Sequence, residues 1–222
     1  MLPWAQIDTA EIPGGGGTLR LIRRGTEFAI MAGRTELMNS RRSGSETALA
    51  TLSCRRLDGR PRPRLLIGGL GMGFTLRAAL AALGEGAEIT VAELVPAVVA
   101  WSRGPLAELF GHSMDDPRVA VRVDDVGRLM RAGEAAYHAI LLDVDNGPDA
   151  LTLPANDRLY DGSGLAAAHR ALRPGGVLAI WSAEPDAAFV LRLRRSGFQV
   201  DETRVHAHGK RGIRQVIWLA AR

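Results

Sequence analysis

The stretch from Leu65 to Gly73, LLIGGLGMG, constrains this chain more than any other. Leu65, Leu66 and Ile67 are consecutive apolar residues suited to a strand buried on both faces. They run straight into Gly68, Gly69, Gly71 and Gly73, and a helical pattern follows at once through Phe74, Leu76, Ala79, Leu80 and Leu83. Strand, glycine turn and helix form the opening unit of a nucleotide-binding α/β fold. Glycines suit such a turn because they take backbone conformations closed to other residues. They also let a ligand approach the main chain where a Cβ would stand. A tight turn of purely structural use is the competing reading, and the residues downstream decide between them.

Those residues alternate between strand and helix patterns. Strands are expected at 64–67, 89–93, 119–123, 139–143 and 177–181, and helices at 74–83, 126–132, 163–172 and 186–195, with another opened by Pro96. Two strands at 198–205 and 213–220 close the chain. Five βα units followed by a hairpin-like strand pair predict an α/β protein with a mainly parallel seven-stranded sheet and an antiparallel C-terminal strand. That is a Rossmann-like methyltransferase fold, since a plain dinucleotide-binding domain does not end in this way. Ahead of it, residues 1–17 read as a flexible lead-in ending in four glycines. Short strands at 19–22, 28–31 and 36–38 make a small N-terminal β meander, and a helix starts at Ser45-Glu46. Gly59-Arg60-Pro61-Arg62-Pro63 divides an N-terminal segment (1–60) from the main domain (61–222).

Composition removes several classes of function. The formal net charge is +4, yet the basic residues are scattered arginines with a single lysine, Lys210, and aromatic residues make up only 5%. Nucleic-acid grooves interleave the two, so no nucleic-acid partner is expected. No apolar run reaches membrane-spanning length, and the first residues lack the pattern of a secretory signal, so neither a membrane partner nor export is expected. Cys54 is the only cysteine, which rules out an intrachain disulfide. A cytoplasmic location follows as the default. His206 and His208 stand at i, i+2 with no evident third ligand, so no metal is expected. His112, His138 and His169 read as surface or cap residues. Gly162-Ser163-Gly164 lacks the preceding strand of a nucleophile elbow, and Ser163 is expected to cap a helix.

In open α/β sheets, ligands bind beyond the carboxyl ends of the strands. Three such ends carry acids. Glu93 ends the second strand of the main sheet, Asp124 and Asp125 follow the third, and Asp143 ends the fourth. A carboxylate at Glu93 can accept both hydroxyls of a ribose, because it offers two oxygens and no donor. Asp125 can accept from an adenine amino group, or serve only as a helix N-cap. Asp143 lies where the reacting group of the ligand would be. The G-x-G-x-G spacing fits the turn that binds S-adenosylmethionine better than G-x-G-x-x-G, which suits a pyrophosphate.

Taken together, these residues resemble the spermidine/spermine synthase-like branch of the class I S-adenosylmethionine-dependent methyltransferases. Gly68-Gly69-Leu70-Gly71-Met72-Gly73 stands where that branch has GGGDGG. Asp124-Asp125-Val126 stands at its G-D-G, and Asp143-Val144-Asp145-Asn146-Gly147-Pro148 at its D-S-S-D-P-x-G-P. Leu159-Tyr160 and Leu172-Arg173-Pro174-Gly175-Gly176 match further landmarks. The resemblance implies that Gly69, Gly71, Gly73, Glu93, Leu94, Asp124, Asp125, Val126 and Asp143 bind the donor. It implies that Asp143 is the catalytic acid, assisted by Asp145, with Tyr160 as an active-site phenol or a packing residue. It also makes a homodimer paired through the N-terminal region the expected assembly.

Two departures matter. The acid within GGGDGG is Gly71 here, and the family's Tyr-His-Glu is not visible in Ser43-Gly44-Ser45-Glu46-Thr47-Ala48. In the family that acid meets the amino end of the decarboxylated donor, and a carboxylate there would repel the carboxylate of intact S-adenosylmethionine. The expectation is therefore a spermidine synthase-like transferase using S-adenosylmethionine, with methyl transfer to a small amine or hydroxyl acceptor preferred narrowly. Aminopropyl transfer from decarboxylated S-adenosylmethionine to a polyamine is the alternative. A nucleoside-binding module without catalysis and a dinucleotide oxidoreductase rank below both.

Overall fold

The computed structural model describes residues 2–144, 156–208 and 211–222, excepting the side chains of 206–208 and 211–214. The chain opens with strands β1 (Ala5–Glu11), β2 (Thr18–Arg24), β3 (Glu27–Ala32) and β4 (Thr35–Asn39), and then helix α1 (Gly44–Arg55). The main domain follows as β5 (Arg64–Gly68), α2 (Phe74–Ala82), β6 (Glu88–Glu93), α3 (Pro96–Arg103), α4 (Ala107–Phe110), β7 (Val119–Val123) and α5 (Val126–Ala132). It continues through β8 (Tyr137–Leu142), α6 (Asp157–Tyr160), α7 (Gly162–Ala171), β9 (Leu172–Ser182) and α8 (Ala187–Arg195) to β10 (Gln199–His208) and β11 (Arg211–Ala221).

The seven strands from β5 onward form one sheet in the order β10-β11-β9-β8-β5-β6-β7. The pairs among β5 to β9 are parallel, and β11 is antiparallel to both β9 and β10. This is the expected Rossmann-like methyltransferase sheet. Strand order turns back at β5, so the glycine turn after it opens at the switch point where such sheets bind ligands.

Alternation along the strands divides the core in two. Leu65, Ile67, Ile89, Val91, Leu141, Ala179, Ile217 and Leu219 face α1, α2, α3 and the N-terminal sheet. Leu66, Ala92, Ile140, Leu142, Leu178, Ile180 and Trp218 face α5, α7 and α8. Successive residues of a strand point to opposite faces, so a continuous apolar run such as Leu65-Leu66-Ile67 serves both layers. On the second face Tyr160 packs edge-on to Phe189, and Phe189 tilts against Trp218, with ring centroids 5.8 and 5.0 Å apart.

The N-terminal sheet has four strands in the order β1-β2-β3-β4. The flexible lead-in expected over 1–17 is thus corrected, because β1 pairs with β2 along its length. Nearly every residue of β1 is solvent-exposed, so the strand carries no buried face that a hydrophobic pattern could report. It is held by the backbone ladder and by Trp101 on α3, whose indole Nε1 donates to Asp8 at 2.7 Å. The apolar face of this sheet, through Leu21, Phe28 and Ile30, joins the same core cluster as Leu65 and Ile67.

Smaller corrections have simple causes. Asp161, not Ser163, caps α7, accepting from the backbone N–H of Gly164 at 2.7 Å. His138 is buried rather than superficial, and its Nδ1 accepts from the backbone of Arg64 at 3.0 Å. His169 packs edge-on to Phe198. No helix among the described residues is long and apolar enough to cross a membrane.

Phe189 is fully buried between two aromatic neighbours. Phe189→Ala should lower the unfolding free energy by about 3–5 kcal/mol in urea titrations followed by circular dichroism.

Candidate active site

A cleft of about 380 Å³ runs along the carboxyl ends of β6, β5, β8 and β9, and β4 and α1 form its opposite wall. Its floor begins at the glycine turn. Gly69 has φ +89° and Gly71 φ +49°, values that favour glycine. A Cβ on Gly69 would collide with the backbone oxygen of Asp143, and one on Gly71 would lie 2.5 Å from Met38 Cε. The backbone therefore forms a cradle that side chains would fill. Gly73 serves differently, since it starts α2 against the ring of Phe110 and does not line the cleft.

Sheet hydrogen bonds carry the strand ends to this cradle. Gly69 N donates to Ala92 O, Asp143 N to Gly68 O and Asp124 N to Glu93 O, at 2.8 to 3.0 Å. Glu93 is only 7% exposed, and its two oxygens accept from the backbone N–H groups of Leu70 and Val95, each at 2.9 Å. Burial pushes its carboxyl group above the usual range, while backbone N–H groups at Val95, Leu70, Gly71 and Leu94 pull the other way. A carboxylate only accepts, so any further partner at these oxygens must be a donor such as a ligand hydroxyl.

Asp125 caps α5, accepting from Gly127 N at 2.7 Å, and also lines the cleft. The two sequence readings of this residue are therefore compatible. Asp124 pairs with Arg128 at 2.9 Å across one helical turn. Leu94 and Val126 complete this end of the cleft. A Cβ on Gly68 would come within 3.0 Å of Val126, so the turn and the start of α5 close on each other.

At the other end, Asp143 accepts a hydrogen bond from Thr75 Oγ1 at 2.6 Å. Burial and the negative charge of Glu46 raise its carboxyl group to about 7. Glu46 enters from the first turn of α1, with Ser45 Oγ donating to it at 2.6 Å, and burial raises it as well. The charge of Glu46 opposes ionisation of Asp143, so Asp143 is suited to exchange a proton near neutrality. Trp181 from β9, Ala183 just after it, and Gln215 from β11 lie beyond.

Most of the expected site residues thus converge: Gly69, Gly71, Glu93, Leu94, Asp124, Asp125, Val126 and Asp143 all line one cleft. Tyr160 does not, because it is 1% exposed in the core, and its hydroxyl donates to the backbone oxygen of Val144 at 3.3 Å. It packs edge-on to Phe189. Asp145, like much of the loop after it, lies outside the described residues, as do the side chains of His206 and His208.

Glu46, Thr75, Met38 and Gln215 escaped the sequence reading. Only Glu46 gave a usable signal, its position in the stretch set against Tyr-His-Glu. Met38 and Gln215 reach the cleft, and Thr75 reaches Asp143, through tertiary folding alone.

Between about pH 3.8 and 7 the folded chain holds a proton on Asp143 that the unfolded chain has released, so stability falls as pH rises through that window. Asp143→Asn removes this penalty. It should raise the melting temperature at pH 8 and leave it nearly unchanged at pH 4, as read by calorimetry across pH.

No protein-family model matches the chain. The polyamine aminopropyltransferase of Mycobacterium tuberculosis is 33% identical over 154 residues, which is 65% of this chain and 28% of that protein. The chain thus spans less than a third of the length of that curated relative. The crystal structure of spermidine synthase from Thermotoga maritima superimposes with a TM-score of 0.76 at 15% identity, covering 97% of this chain and 72% of that one. Human methyltransferase-like protein 13 in complex with SAH gives 0.57 at 20% identity, covering 78% of each chain. The chain has the fold shared by spermidine synthases and class I methyltransferases.

Proposed function

We propose that this spermidine synthase-like chain is a transferase that moves an aminopropyl group from decarboxylated S-adenosylmethionine to a small amine. The observation that carries this reading is the acid pair Asp143 and Glu46 in a cleft whose ionisable lining is six carboxyl groups against one arginine, Arg42, among the described residues. An acidic cleft attracts amines and a donor ending in an ammonium, and it disfavours a donor ending in a carboxylate. The similarity to polyamine aminopropyltransferases points the same way and tilts the balance away from methyl transfer.

Glu93 would hold the donor ribose, Asp125 the adenine amino group, and the Gly69–Gly71 backbone the turn beneath. When bound, the sulfonium donor supplies an electrophilic carbon. The protein's part is chiefly to hold the acceptor nitrogen in line with it and to take up its proton. Asp143 is the base. Thr75 fixes the direction of its carboxylate, and Glu46 keeps its affinity for the proton close to neutral pH.

Methyl transfer from intact S-adenosylmethionine is the second reading. Gly71 favours it, since the glycine turn offers no carboxylate to the donor's ammonium. Calorimetry with both donors separates the two. Aminopropyl transfer expects the decarboxylated donor to bind at least about tenfold more tightly. Binding of the intact donor alone overturns it.

The rate with amine acceptors should rise with pH through about 7 as Asp143 loses its proton. Glu46→Gln removes the like charge and should move this limb of the pH–rate profile to lower pH. A limb that stays in place would take Glu46 out of the mechanism.

The same proposal includes a cytoplasmic setting, supported by the buried free thiol of Cys54. It also includes a homodimer formed through the N-terminal sheet, supported by exposed Ile7 on its outer strand and exposed Leu2 just before it. Light scattering should then give twice the chain mass.

A further inference from the structure

At the far end of the cleft, two polar atoms are buried without a hydrogen-bond partner among the described residues: Trp181 Nε1 and Gln215 Oε1. Both side chains line the cleft, beyond Asp143 as seen from the nucleoside end. They belong together by register. Trp181 on β9 pairs with Ile217 on antiparallel β11, and Gln215 lies two residues from Ile217 on the same face. A buried polar group left unpaired is costly, and native structures seldom keep one without a purpose. Here the two requirements are opposite. The indole N–H can only donate and needs an acceptor, while the amide oxygen can only accept and needs a donor.

We propose that this corner is an acceptor subsite for an amine whose other end carries a group that both accepts and donates hydrogen bonds, a hydroxyl or a carboxamide. A plain diamine does not satisfy it. A charged ammonium donates to Gln215 but has no lone pair for Trp181, so it leaves the indole N–H unmet. A hydroxyl or carboxamide meets both atoms, reproducing what a water molecule there would do. The reacting nitrogen lies at Asp143 and Glu46 and the second functional group at Trp181 and Gln215. Specificity therefore comes from the end of the acceptor that does not react. This inference rests on the group-transfer reading above for the direction of the acceptor, though the subsite chemistry can be tested apart from it.

The test uses the full chain and three acceptors of matched length: an α,ω-diamine, an ω-amino alcohol and an ω-amino carboxamide. The amino alcohol or the amino carboxamide should exceed the diamine in kcat/KM by about tenfold or more. Which of the two leads identifies the group. Trp181→Phe keeps the ring and removes the N–H, and Gln215→Met keeps the length and removes the oxygen. Each should bring the ratio toward one. A wild-type preference for the diamine, or a ratio that survives both variants, overturns the proposal.

If no acceptor is alkylated, the group-transfer reading fails, and calorimetric binding of the three compounds to the chain saturated with 5′-methylthioadenosine decides the subsite. The same order of preference supports it, and no preference overturns it. The wild-type comparison stands even if a variant does not fold.

Discussion

The site depends on one close approach of backbone to backbone. Gly69 turns the chain out of β5 with a positive φ, and the carbonyl of Asp143 at the end of β8 occupies the space its Cβ would need. Because those two strand ends can touch, the glycine cradle and the Asp143 carboxyl group share one cleft. A side chain at Gly69 would have to part β5 from β8. Asp143 would then move off the cradle and away from the hydroxyl of Thr75. The geometry of the cleft follows from a missing methyl group.

The second constraint is electrostatic. Asp143 and Glu46 come from elements nearly a hundred residues apart, and the fold brings them to one apolar place. Burial raises both carboxyl groups, and the charge of Glu46 adds to the rise of Asp143 to about 7. That arrangement is unfavourable for the folded state and useful for proton transfer, a common exchange at active sites. Glu93 is buried too, but backbone N–H groups surround it, which suits a residue that binds rather than reacts.

Most of the fold was legible in the sequence because the parallel strands are continuous apolar runs and the turns between them carry glycine, proline and aspartate. The donor half of the site was legible for a related reason. It consists of strand-end residues, and from β5 through β7 their order in sequence is their order across the sheet. The acceptor half was not. Glu46 comes from a helix of the N-terminal segment, Met38 from a strand edge and Gln215 from the last strand, and no local periodicity links them. Strand β1 was missed because it buries no face, and Tyr160 stayed open because a tyrosine beside a predicted loop reads equally well as a ligand group or as core.

The last strand has one more consequence. Every parallel strand meets the cleft with its carboxyl end, but β11 runs the other way and meets it in its first half, at Gln215. A change at that end of β11 therefore reaches the far corner without passing through Gly69, Glu93 or Asp125. One scaffold can in this way keep the strand-end half of its cleft fixed while the far corner diverges.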